Sequence, residues 1–163
     1  MKMRVLLVLT AGLLAAPQLS AVPNRPAKKK DPVKEEMRKL EGTWECTGLE
    51  LNGRQYQAEI LLKLGNPKLV IKGKKLTGSS DRGFRGQNQA ATIDLKIDPK
   101  KKPKAIDLAG QILAGQGTVQ AIYELKGDTL KTCYSRNGGQ RPTEFSTAVG
   151  NNNIILTWKR VKK

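Results

Sequence analysis

Ala91-Thr92-Ile93-Asp94-Leu95-Lys96-Ile97-Asp98 alternates without a break, with Ala91, Ile93, Leu95 and Ile97 apolar and the residues between them polar. A β-strand sends successive side chains to opposite faces, so this stretch predicts a strand with one dry face and one wet face. Residues 118–125 repeat the pattern: Val119, Ala121, Tyr123 and Leu125 oppose Thr118, Gln120 and Glu124, with Ile122 as the exception. Leu130, Thr132 and Tyr134 form a weaker inner face in the next run, and Ile154, Leu156, Trp158 and Arg160 share one side of the last. One-sided strands of this kind belong to antiparallel sheets.

The connections agree with that reading. Asn52-Gly53 and Asn137-Gly138 predict two-residue hairpins, because a type I′ turn needs positive φ at both central positions. Lys72-Gly73 and Gly127-Asp128 separate strand-like runs in the same way, and Asp98-Pro99 and Gly150-Asn151-Asn152-Asn153 mark further turns. Runs at hairpin spacing total about eight to ten strands, which predicts an all-β, antiparallel, up-and-down barrel, with a sandwich as the alternative. No helical stretch is long enough for parallel crossovers.

The start of the chain reads differently. Residues 1–21 have the form of a secretory signal: Lys2 and Arg4, an apolar run over residues 5–16, and the small residue Ala21 before the expected cleavage point. That run is too short for a membrane span, and no later stretch reaches membrane length. Residues 22–38 combine a basic, proline-bearing linker with the start of a short helix, and the barrel domain is placed at 39–163. Asp31 can cap the helix, Pro32 suits its first position, and Val33, Met37 and Leu40 form its apolar stripe. A secreted or periplasmic location is expected.

Composition narrows the chemistry. The chain has 163 residues, 30 Lys+Arg against 14 Asp+Glu, and no histidine. A serine or cysteine nucleophile paired with histidine is therefore excluded, as is a histidine-ligated metal, and two cysteines cannot make a four-thiolate zinc site. No metal or cofactor is expected, and the chain is read as no enzyme. Cleavage after Ala21 lowers the net charge only from +16 to +14, so the surplus belongs to the mature protein. Cys46 and Cys133 fall on opposite faces by strand parity, which argues against a disulfide between them.

Gly42-Thr43-Trp44 opens the first strand after the short helix, and Arg160 sits at the end of the last. This resembles the lipocalin arrangement, in which a Gly-x-Trp closes one barrel end and a late arginine packs over the indole. Trp44 and Arg160 are accordingly expected as a barrel-closing pair. Three further motifs are similar to a lipocalin-like secreted domain family expanded in planctomycete bacteria. They are Pro103-Lys104-Ala105-Ile106-Asp107-Leu108, the run over residues 122–133 with Gly127, Asp128 and Cys133, and Arg141-Pro142-Thr143-Glu144-Phe145. The resemblance covers about residues 38–161. It implies an extracytoplasmic lipocalin-like domain and carries over no catalytic residue. Cys46 stands where that family shows an aliphatic residue, which fits a small core hydrophobe.

Function is then open among three classes. The first is a non-catalytic module holding a small apolar or amphipathic ligand, with Leu95, Tyr123, Leu125 and Tyr134 as interior candidates and Arg141 as an anion binder at the mouth. Arg141 can equally pair with an acid such as Asp128 to hold a turn. Residues 103–108 read as an edge strand entered through Pro103, with Ile106 inward. The second class is an envelope interaction protein with a filled barrel, meeting anionic polymer or lipid headgroups through basic runs: Arg25 with Lys28, Lys29 and Lys30; Lys72 with Lys74 and Lys75; Arg82 with Arg85; Lys100, Lys101 and Lys102 with Lys104; and Lys159 and Arg160 with Lys162 and Lys163. Only seven aromatic residues and the expected export argue against nucleic acid. The third is a small hydrolase, or an inhibitor of one, drawing on Asp107, Glu124, Asp128 and Glu144, whose spacing pairs no two across a cleft.

Overall fold

The computed structural model describes residues 31–56, 58–80, 91–112 and 115–162. The expected signal, the linker at 22–30 and the basic pair Arg82 and Arg85 lie outside the described residues. Eleven elements follow in order: α1 (Pro32–Leu40), β1 (Gly42–Leu51), β2 (Arg54–Tyr56), α2 (Ala58–Lys63), β3 (Lys68–Lys72), β4 (Lys75–Ser79), β5 (Ala91–Asp98), β6 (Lys104–Ile112), β7 (Gly115–Lys126), β8 (Thr129–Ser135) and β9 (Asn153–Arg160). Strands β3 to β9 pair antiparallel with their sequence neighbours, and β1 pairs with both β3 and β9. The sheet therefore closes as an eight-stranded up-and-down barrel, the expected all-β fold. The short strand β2 is an addition that hairpins onto the end of β1.

Several turns form as their residues require. Asn52 and Gly53 hold φ of 50° and 70° between β1 and β2, the left-handed pair of a type I′ hairpin. Asn137-Gly138 does not behave this way. Gly138 turns back on Ser135, but the chain then runs through residues 139–152 before β9 begins, so no hairpin forms there. The short helix α2 was not expected either. Its six residues sit between β2 and β3, with Leu61 buried and Leu62 exposed. Nor is β6 an edge strand: it lies between β5 and β7, paired on both sides, with Ile106 buried as expected.

Alternation sorts the walls. Ile93, Leu95 and Ile97 of β5, with Ala121 and Tyr123 of β7, are buried in the interior core. In β1 the pairing with β9 shifts between Cys46 and Gly48, a β-bulge that adds Thr47 to one side of the ladder. The extra residue resets parity, so Trp44, Cys46 and then Leu49 all turn inward, and Glu50 turns outward.

Helix α1 plugs one end of the barrel. Asp31 caps it, its carboxylate accepting from the Val33 N–H at 2.9 Å. Met37 and Leu40 enter the core, so the helix belongs to the barrel body and the division at residue 39 cuts through it. The inward stripe differs from the expected one: Val33 stays exposed, and Glu36 is buried in its place. Lys104 Nζ lies 2.5 Å from the Glu36 carboxylate, and the Tyr123 hydroxyl donates to the same oxygen at 3.4 Å. Burial alone would raise the Glu36 carboxyl, but Lys104 and then Lys39 hold it below its ordinary value.

The barrel is locked where its first and last strands meet. Trp44 and Arg160 are cross-strand neighbours, and the guanidinium lies 4.1 Å from the indole ring centre. The indole N–H donates to the Leu40 carbonyl at 2.9 Å. Arg160 donates to the Lys39 carbonyl at 2.6 Å, to the Glu41 carbonyl, and through Nε to Asp128 at 3.2 Å. A cation there also suits the negative end of α1. Gly42 holds φ of 135°, and a Cβ at that position would stand 2.7 Å from Arg160 Nη1. Arg160→Ala should cost about 2–3 kcal/mol by urea unfolding. Gly42→Ala should cost about 1–3 kcal/mol through backbone strain and displacement of that guanidinium.

Candidate functional site

Among the described residues the end of the barrel opposite α1 is uncovered, and a cavity of about 580 Å³ runs down from it. Its deeper wall is apolar: Ile71, Leu76, Leu130 and Trp158 lie towards the plugged end, with Ile93, Leu108, Val119, Ala121 and Leu156 around the sides. Leu61 and Leu64 bring α2 to the mouth, and Ser80, Ala91, Arg136 and Ile154 also stand at that rim. The polar groups of the lining are few, namely Cys46, Ser80, Thr132, Tyr134 and Arg136. No Asp or Glu lines the cavity among the described residues. A volume of this size falls in the range of about 300–1,000 Å³ usual for small-molecule pockets.

Of the interior candidates, all four turn inward, but only Tyr134 lines the cavity. Leu95 and Tyr123 are buried beneath α1, and Leu125 packs against the core at the same end. Parity assigns a face and not a depth, and the helix plug fills the depth those three occupy. The lining residues that alternation alone did not single out are mostly apolar side chains of β3, β4 and α2. The α2 contribution had no periodic signal, since six residues are too few to show one.

Arg141 is placed elsewhere than the mouth. It lies on the outer wall, where its guanidinium is bonded to Asp107 and donates to the Ala121 carbonyl at 2.5 Å and the Ile106 carbonyl at 3.2 Å. The expected partner Asp128 is instead held by Arg160, with Lys162 at 3.8 Å. Residues 141–147 thus form a strap across the outside of the barrel. Phe145 covers a small second core of Ile122, Cys133 and Ile155. The Cys133 thiol donates to the Glu144 carbonyl at 3.8 Å, and the Thr147 hydroxyl donates to Glu50 at 2.7 Å. This outer core explains why Ile122 breaks the alternation of β7.

The two cysteines are free and occupy different cores, Cys46 inside and Cys133 outside. Burial pushes both thiols up to about 11, which keeps them protonated and poorly nucleophilic at neutral pH. The four carboxylates weighed for hydrolysis are scattered. Asp107 holds Arg141, Asp128 holds Arg160, Glu124 pairs with Lys126 at 3.0 Å, and Glu144 lies on the outer strap. None of them lines the cavity.

The plugged end carries much of the positive charge. The turns after β3, β5 and β7 lie at that pole, with β3 to β8 following one another in strand order. They bring Lys72, Lys74, Lys75, Lys100, Lys101 and Lys102 together. Lys75 pairs with Asp94 at 2.7 Å, and the other five have no ion pair among the described residues.

No protein-family model, curated protein or solved structure matches the chain.

The strap and the cavity are separate structures on two sides of one wall. Arg141→Ala should destabilise the fold by about 2–4 kcal/mol, because it leaves Asp107 and two carbonyls without their partner. Occupancy of the cavity by a neutral naphthylamine dye, followed by fluorescence under conditions where the variant is folded, should stay within about twofold of the unaltered protein. A strap variant that keeps its stability but loses the dye would place Arg141 in the binding machinery after all.

Proposed function

We propose that the chain is a non-catalytic, extracytoplasmic binding module that holds a small apolar or amphipathic ligand in the barrel. The cavity of about 580 Å³ carries this reading, because a wall this apolar is suited to shielding an apolar molecule from water. The signal-like start of the chain and the resemblance to the lipocalin-like secreted family support an exported location. A single ligand with an apolar body would gain about 25 cal/mol for each Å² it buries.

Native mass spectrometry of the purified protein should recover a bound small molecule, and the neutral naphthylamine dye should bind and be displaced by it. Leu108→Trp, which fills the cavity from a half-buried wall position, should weaken the dye at least about tenfold. A protein that binds neither dye nor any small molecule would end this reading.

A second reading rests on the lysine-rich turns. We infer that the plugged pole contacts anionic polymer or lipid headgroups of the envelope while the mouth faces away. Lys100→Glu with Lys101→Glu should lower the salt concentration that releases the protein from anionic vesicles. Retention that ignores both salt and these substitutions would exclude it.

A further inference from the structure

We propose that the mouth of the cavity is a headgroup subsite for anionic single-chain amphiphiles, with Arg136 as the counter-charge and the Tyr134 hydroxyl as a donor below it. This deepens the ligand-binding reading and rests on it.

Strand β8 supplies the row. Leu130, Thr132, Tyr134 and Arg136 succeed one another at a spacing of two residues and all line the cavity. The row leads from the apolar deep end to the rim and spans about 20 Å at ordinary strand rise. That length suits an elongated occupant better than a compact one. The Arg136 N–H donates to the Asn152 carbonyl at 2.9 Å, which continues the β8–β9 ladder past Ser135 and keeps Arg136 in step with Tyr134.

The polar groups of this row are donors in want of an acceptor. Arg136 is exposed at the rim, and its guanidinium has no ion pair among the described residues. With no carboxylate in the described lining, its charge is left for a ligand. Burial pushes the Tyr134 hydroxyl up to about 12, against the pull of the nearby Arg136 charge, so its O–H remains a donor at neutral pH. The Thr132 oxygen already accepts from the Trp158 indole at 3.2 Å, which leaves its own proton to give. An apolar tail in the barrel with a carboxylate, sulfate or phosphate at the rim gives Arg136 its counter-charge and sets an acceptor above the Tyr134 hydroxyl. A cationic head would meet like charge, and a neutral head would gain burial without the ion pair.

Calorimetric titration of the protein with dodecanoate, dodecanol and dodecylamine separates these cases. Dodecanoate should bind about tenfold more tightly than dodecanol, with dodecylamine weakest. Arg136→Gln should bring dodecanoate down to the dodecanol value and leave dodecanol unchanged, and Arg136→Lys should keep part of the difference. Equal affinities for the three, or an Arg136→Gln change that weakens dodecanoate and dodecanol alike, would overturn the headgroup subsite while leaving the binding module standing. No binding by any of them would overturn both.

Discussion

The fold turns on one guanidinium. Arg160 stacks on Trp44, caps the last carbonyls of α1 and holds Asp128 of the β7–β8 turn. Each contact is modest alone, but together they join the first strand, the last strand, the helix and a hairpin at a single point. Gly42 is required beside it, since any Cβ there would occupy the space of the arginine. With that end locked, the helix can press Met37 and Leu40 into the core. The buried Glu36 is then tolerated because Lys104 reaches it from β6. Among the described residues nothing comparable crosses the barrel at the other end, where the cavity lies.

The wall itself has two dry sides over part of its circumference. Inside is the main core. Outside, Phe145 and the strap cover Ile122, Cys133 and Ile155, which stand in one row across β7, β8 and β9. The motif residues Asp107, Cys133, Arg141, Glu144 and Phe145 meet here, and Gly127 and Asp128 serve the locked end. Their arrangement accounts for them as staples of the wall. The chemistry facing the cavity comes from other residues.

Much of this was legible in the residues. Alternation in β5 and β7 located the inner face, Gly42-Thr43-Trp44 with Arg160 located the closure, and opposite parity separated the two cysteines. The missed features have physical causes. Ile122 stood as an exception in a one-sided pattern because its cover comes from a distant loop with no period of its own. The bulge at Thr47 shifts parity in β1 without a turn residue to announce it. The burial of Glu36 had no local signal, because its partner lies far along the chain, on Lys104. Arg141 left its expected place at the mouth for the same reason: composition shows that an arginine is present, and only the path of residues 136–152 shows which side of the wall it meets.

The plug formed by α1 closes one way into the barrel. An occupant that entered tail first from the opposite end would have to leave head first. A newcomer could not drive it out from the α1 side, so exchange would wait for spontaneous departure. Residence time would then reflect both the apolar contact given up in the depth and the passage of the rim, where α2 and Arg136 stand.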